Sequence, residues 1–465
     1  MRSTIAPARL LSYRILLQIA ISDAHSDDLL HTPAVDALSS QDRNLTTNLV
    51  LGSLRWQLAL DARIREFLAR PDAKLSPETA TALRLGAYQL LHLDRVPAHA
   101  VLHDSVELVK QSKERGAAGM VNAVLRKIQA SEHRTQGAEH RTPNTGHRTQ
   151  GTRPDAAISA SVDLAAQWAH PAWMVERWAH RYGDEAAIAI CQWDQEPPAV
   201  TLRVSAPNSP PEGLETEPGV FLASARRLIR GDLGPALRLA QVRVQDEASQ
   251  LVAEIAAAAA PEAARVLDAC AAPGGKTAIL AERLPNAQIT AVDISRTRLD
   301  TMRRLLPATL RAEIRFEVAD AAALELQPEY DLILCDVPCG GTGTVARNPE
   351  IKLRLAEADL ARQHARQVAI VRAGLKGLKS GGRLVYSTCS LEPEENESVL
   401  SEILTASPGV SILPIESLLD RLAETGVLNS GGRERLRTTQ DGPFLRTLSG
   451  IHPCDGFFAA VLALN

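Results

Sequence analysis

No apolar run in this 465-residue chain reaches the ~18 residues that a membrane span requires. The start, Met1-Arg-Ser-Thr-Ile, also lacks the apolar stretch and cleavage site of a secretory signal. A cytoplasmic protein is therefore expected. The six cysteines, at 191, 270, 335, 339, 389 and 454, have no Cys-x-x-Cys pair and are too sparse for a disulfide scaffold. This leads us to expect reduced thiols and no metal. The dinucleotide fingerprint G-x-G-x-x-G is absent as well. Residues 1–130 contain neither strand signals nor an aromatic platform nor a dense basic stripe for nucleic acid. Net charge, −4 over the whole chain, does not separate the function classes.

The length exceeds one hydrophobic core and favours about three domains. In residues 1–130 apolar positions recur at three-and-four spacing, as in Leu10, Leu11, Ile15, Leu16 and Ile19, which predicts a helix bundle. Residues 131–155 repeat His-Arg-Thr every seven residues without an apolar seam, which predicts a disordered, low-complexity linker rather than a coiled coil or metal tract. Residues 156–240 combine a Trp-bearing helical segment with the strand-like Pro197-Pro-Ala-Val-Thr-Leu-Arg-Val204, a small α+β subdomain. From 241 to 465, strand-like runs alternate with helical ones, the pattern of βαβ units around a parallel sheet.

The first of these strands, Arg265-Val-Leu-Asp-Ala, runs into Cys270-Ala271-Ala272-Pro273-Gly274-Gly275-Lys276. This small-residue turn opens a helix, and backbone there can approach a ligand closely. It is not a Walker A loop, because the position five before Gly275 is Cys270. Acids end the next strands: Asp293, Asp320 and Asp336. Such a series repels phosphate but suits a cationic, ribose-bearing cofactor, and S-adenosylmethionine fits. Lys276 joins this loop as a capping or ion-pairing residue, or as a partner for Asp336.

Two cysteines step off strand ends in the same domain, Cys339 in Asp336-Val-Pro-Cys and Cys389 in Tyr386-Ser-Thr-Cys-Ser. Ligands of open α/β sheets bind outside the carboxyl ends of the strands, so both thiols should face one crevice, an arrangement suited to covalent chemistry. Between them, residues 347–383 hold nine Lys/Arg against three acids. This band is either a solvated helix face or a surface that tracks a phosphate backbone.

Taken in order, Asp268-Ala-Cys-Ala-Ala-Pro-Gly-Gly-Lys-Thr, Asp336-Val-Pro-Cys-Gly-Gly-Thr-Gly, Arg347-Asn-Pro-Glu-Ile-Lys, Tyr386-Ser-Thr-Cys-Ser and Asp455-Gly-Phe-Phe-Ala-Ala resemble the RNA 5-methylcytosine methyltransferases of the Fmu/Sun and NOL/NOP group. Residues 1–130, with Gln41-Asp-Arg-Asn and Val121-Asn-Ala-Val-Leu-Arg, resemble the NusB-like domain of its bacterial small-subunit member. The resemblance implies a multidomain chain: an all-α NusB-like helix bundle that binds RNA, a small α+β subdomain, and an α/β Rossmann-like class I methyltransferase domain. It implies S-adenosyl-L-methionine as cofactor, and 16S ribosomal RNA, naked or in early assembly, as partner, with no membrane or obligate protein partner. It also implies Cys389 as nucleophile, with Cys339 aiding elimination and product release. The Pro-Cys motif of cytosine-5 DNA methyltransferases would instead select Cys339. Asp336 is expected to orient the cofactor or to hydrogen bond the cytosine edge. The family's usual Asp-Ala-Pro-Cys-Ser is Asp-Val-Pro-Cys-Gly here, so Gly340 lacks a hydroxyl. A methyltransferase acting on tRNA, a non-catalytic RNA-binding assembly factor and a P-loop nucleotidase are the competing readings. The basic band would guide the RNA backbone.

Overall fold

The computed structural model describes residues 5–138, 162–204, 211–311 and 314–465. The chain forms two compact units, one of Met1–Glu196 with Val345–Arg354, the other of Pro197–Thr344 with Leu355–Asn465.

The first unit is helical. Its longer helices are Pro7–Ile21, Ser40–Arg55, Pro77–His92, Ala98–Gln111 and Ala118–Ala138. Their starts follow from local chemistry: Ser39 and Ser76 accept hydrogen bonds from the amides of Asp42 and Thr79, and proline occupies the first turns at Pro7 and Pro77. The apolar stripes meet in a core containing Leu16, Leu49, Leu83 and Leu125. A buried Arg9–Asp104 pair at 2.9 Å ties the first helix to Ala98–Gln111. The helix beginning at Ala118 runs through Ala138, so the first residues of the expected 131–155 linker are helical. The rest of that repeat lies outside the described residues. Helices Ala172–Tyr182 and Asp184–Gln195 complete the unit, so the segment 156–240 contributes helices to one unit and strands to the other.

The second unit begins with a four-stranded antiparallel sheet of β1 (Thr201–Val204), β2 (Glu215–Pro218), β3 (Ala225–Arg230) and β4 (Val242–Val244), in the order β2-β3-β1-β4. A nine-stranded sheet follows. Its strands are β5 (Arg265–Asp268), β6 (Gln288–Asp293), β7 (Ile314–Val318), β8 (Tyr330–Asp336), β9 (Leu378–Thr388), β10 (Val410–Leu413), β11 (Gln440–Asp441), β12 (Phe444–Thr447) and β13 (Phe457–Leu464). The order β11-β12-β13-β9-β8-β5-β6-β7, with β10 also on β13, is parallel from β9 to β7 and antiparallel beyond β9.

Helices cover both faces, which is why the central strands read as continuous apolar runs. Val266, Leu332, Leu334 and Val385 pack toward Leu251, Ile255 and Leu418. The alternate residues Leu267, Ile333, Leu384 and Tyr386 pack toward Val368, Val371 and Leu400. Strand order reverses at β5, which has β6 on one side and β8 on the other. The crevice of such a sheet opens at that reversal, outside the carboxyl ends of the strands.

Candidate active site

The turn after β5 is fixed by three contacts. The Ala271 amide donates to the Val292 carbonyl at 2.8 Å, the Ala272 amide to Asp293 Oδ2 at 3.3 Å, and Arg298 Nη2 to the Ala272 carbonyl at 2.6 Å. The Ala272–Pro273 peptide is cis. Gly274 has φ 105°, the left-handed region that disfavours side chains, and a Cβ there would lie 2.6 Å from Met302 Cγ. Helix Gly275–Arg283 starts immediately afterwards, so Cys270 through Lys276 form the turn between β5 and that helix.

The acids divide into two groups. Asp293, buried, accepts from the Ser295 amide at 2.8 Å and meets Arg298 at 3.3 Å. Asp320, exposed at the end of β7, caps the next turn through the Ala322 amide at 3.0 Å. Asp268 is the deepest: Thr277 donates its hydroxyl at 2.6 Å, while Oδ1 is buried with no hydrogen-bond partner. Burial pushes its carboxyl up to about 7.

Asp336 ends β8 and is held from two sides, by Lys276 Nζ at 2.8 Å and by the Ser387 hydroxyl at 2.7 Å. Lys276 also donates to Ser249 at 3.0 Å and stands 5.0 Å above the Phe457 ring. Of the expected roles, capping, ion pairing, or holding Asp336 with the incoming base, the contact present is the pair with Asp336.

Cys339 and Cys389 follow neighbouring strand ends, since β8 and β9 pair with Asp336 opposite Ser387. Their sulfurs lie 3.4 Å apart and both are free thiols. The hydrogen bond to Cys389, with burial, pushes the Cys339 thiol well above its ordinary range. Either sulfur can donate in this contact. Cys191, Cys335 and Cys454 are buried.

The loops carrying the thiols are pinned by glycine. The Gly343 amide donates to the Cys389 carbonyl at 2.9 Å, and the Gly456 amide to the Gly343 carbonyl at 2.8 Å. A Cβ on Gly343 would lie 2.2 Å from the Gly456 carbonyl oxygen. The Gly-Gly-Thr-Gly and Asp-Gly-Phe-Phe motifs thus meet here, backbone to backbone. Sequence reading missed Ser249, Arg298 and Glu395, which serve these motifs from outside them and carry no spacing signal of their own, and it gave Ser387, although inside the Tyr-Ser-Thr-Cys motif, no role.

The basic band is corrected. Lys352 and Arg354 belong to the first unit, where Lys352 is 2% exposed and Arg354 donates to the carbonyls of Ile19, Ser22 and Ala24. Burial pushes the Lys352 ammonium down and the carboxyl of nearby Asp194 up. Arg362 pairs with Asp359 and Arg372 with Glu402. Lys379 pairs with Asp331 at 2.8 Å near the amino ends of β9 and β8, away from the crevice. Lys352 and Arg354 are therefore not solvated cations of the band, because charge density along a chain carries no information about which face each side chain reaches.

Among the described residues no group of three His, Cys, Asp or Glu could hold a metal, and no helix is long and apolar enough to cross a membrane. A family model described as 16S rRNA methyltransferase RsmB/F matches residues 256–463. A NusB family model matches 6–130, and an RsmF/B-like ferredoxin-like domain matches 170–212. The probable ribosomal RNA small subunit methyltransferase B of Bacillus subtilis (strain 168) is 34% identical over 426 residues, covering 88% of this chain and 90% of the relative. That of Synechocystis sp. is 30% identical, covering 98% and 99%. The crystal structure of PH0851 aligns over 100% of both chains with a TM-score of 0.76 at 20% identity, a shared fold. This chain belongs to the RsmB/F family of 16S rRNA methyltransferases, with a NusB-like amino-terminal domain.

Proposed function

We propose that the protein transfers a methyl group from S-adenosyl-L-methionine to carbon 5 of a cytosine in 16S ribosomal RNA, through a transient bond between Cys389 and the ring. The observation that carries this reading is the pair of free thiols 3.4 Å apart beside Asp336. The donor set suits the cofactor: Asp268 and Asp293 stand buried at successive strand ends beside the small-residue turn. Cys270, Ala271, Ala272, Pro273, Gly274, Gly275 and Lys276, with Asp293, Asp320 and Asp336, would hold it. When bound it supplies an electrophilic methyl group on a sulfonium.

Carbon 5 of cytosine is too weak a nucleophile to take that methyl unaided. The Cys389 thiolate adds at carbon 6, the 5,6 double bond opens, and carbon 5 becomes enamine-like, so one hard step becomes two easier ones. Asp336, fixed by Lys276 and Ser387, hydrogen bonds the ring edge as charge develops. After transfer a base removes the carbon 5 proton, that electron pair restores the double bond, and the carbon–sulfur bond breaks to release the thiolate. Cys339, in sulfur–sulfur contact with Cys389 at 3.4 Å, assists elimination and product release. The cytosine has to leave its stack to expose both carbons, which favours a loop or single-stranded segment of the RNA.

The test uses purified full-length protein with 16S ribosomal RNA and with tRNA. Cys389→Ala should abolish methylation, whereas Cys339→Ala should accumulate a protein–RNA adduct that survives denaturing electrophoresis. Methylation retained in Cys389→Ala, or an adduct that needs Cys339 instead, would refute the assignment. Turnover on tRNA alone would refute the substrate.

A further inference from the structure

Glu395 lies in the turn Pro393–Glu395 and is fully buried. Its carboxylate is met by three neutral donors. Oε1 accepts from the Gly340 amide at 2.7 Å and from Gln367 Nε2 at 3.1 Å, and Oε2 accepts from the Ser390 hydroxyl at 2.5 Å. Gly340 is the residue after Cys339, and Ser390 the residue after Cys389. One rigid group therefore holds the position following each thiol. Its own backbone is held in turn, because the Tyr386 hydroxyl donates to the Glu395 carbonyl. Gln367 closes the frame by donating to the Pro338 carbonyl at 3.0 Å, one residue before Cys339.

Burial of an ionisable group without a cation is expensive, and burial pushes this carboxyl above its ordinary value. Simple packing would be met better by an aliphatic residue. Gly340 also fits the arrangement, since a Cβ there would lie 2.9 Å from Glu395 Oε2 and 3.1 Å from Leu355 Cδ2. Where the family pattern has a serine, this chain brings bare backbone against the carboxylate. The nearby negative charge further favours the protonated form of Cys339, after the larger effects of its hydrogen bond to Cys389 and of burial.

We propose that Glu395 is a positioning residue that sets the separation of the two thiols by bridging the loop behind each. The inference rests on the assignment of Cys389 and Cys339 to the reaction. The test reads the separation directly with phenylarsine oxide, whose arsenic condenses with two neighbouring thiols, releasing water. Cys389→Ala supplies the background from the other cysteines.

Glu395→Ala and Ser390→Ala in the full-length protein should each weaken this capture by on the order of tenfold and lower turnover by up to roughly a hundredfold, the scale of a displacement near 1 Å. Binding of S-adenosylmethionine should stay within about twofold, since neither residue touches the cofactor loop. Glu395→Gln, which still accepts from the Gly340 amide, should recover most of both signals. Turnover lost while the arsenical is held as tightly as in the unsubstituted protein would overturn the proposal, and so would unchanged turnover in both Glu395→Ala and Ser390→Ala. Full activity of Cys389→Ala would instead refute the reaction assignment, whatever the arsenical result.

Discussion

Lys276→Met removes the ammonium, and with it the ion pair with Asp336 and the weaker contact over the Phe457 ring. The pair lies at 2.8 Å with side chains 11% and 27% exposed. At an effective dielectric near 20, Coulomb attraction at that distance is about 6 kcal/mol. Desolvation of both groups and partial access of water to Asp336 offset more than half of this. About 2–3 kcal/mol remains, in line with hydrogen bonds between charged partners. Without the ammonium, Asp336 retains the Ser387 hydroxyl and can rotate away from the base. If that orientation matters only as charge develops on the ring, the whole amount appears in the barrier, a fall of roughly 30- to 150-fold in kcat/KM. Incorporation of tritium-labelled methyl into 16S RNA measures it. Ser249→Ala, which removes only the secondary 3.0 Å contact, should cost less than about threefold. A Lys276→Met enzyme within about threefold of the unsubstituted one would refute the role given to the pair.

Two further outcomes follow from the buried site. The Asp268 carboxyl is raised to about 7, so its favourable contribution is complete below the unfolded value and is lost as pH rises through about 7. Between pH 5 and 8.5 the unsubstituted protein should lose on the order of 2–3 kcal/mol relative to Asp268→Asn. Hydrogen exchange in β5 and β8 across a urea series reads this, since all five tryptophans lie in the first unit; a pH-independent gap would contradict it. Gly343→Ala drives a Cβ to 2.2 Å from the Gly456 oxygen and should destabilise the second unit by about 1–3 kcal/mol. Because the Gly343 amide holds the Cys389 carbonyl, turnover should fall at temperatures where the variant is fully folded; unchanged turnover would contradict that link.

What could be read from the sequence was whatever physics makes periodic or local. Helical spacing marked the Leu16, Leu49, Leu83 and Leu125 core, because each helix buries one stripe. Runs such as Asp331-Leu-Ile-Leu-Cys335 marked strands covered on both faces. The two cysteines could be placed together because residues that step off neighbouring parallel strands share an edge. Strands β10 to β13 were harder. Beyond β9 the sheet turns antiparallel, and β13 sits next to β9 although 68 residues separate the end of one from the start of the other. No local signal encodes such a pairing.

Charge was the least legible property, and Lys352 explains why. A lysine in a run of cations is most simply a solvated cation, yet its neighbours Ile351 and Leu353 belong to a short helix in the first unit, which carries it into the interior near Asp194. The opposite case is Glu395. Within Glu392-Pro-Glu-Glu-Asn-Glu it looks like one acid of a solvated cluster, while its neighbour Glu394 is only half-buried and its carbonyl accepts from His364. What sets Glu395 apart is the convergence of Gly340, Gln367 and Ser390 on one buried carboxylate, from 55, 28 and 5 residues away. Donors for a buried charge are assembled by the fold, so the residue that needs them carries no mark in its own neighbourhood. The same reasoning explains why the thiols announced themselves and their support did not: a nucleophile must stand at the strand end, whereas the group that positions it can come from any segment that packs behind.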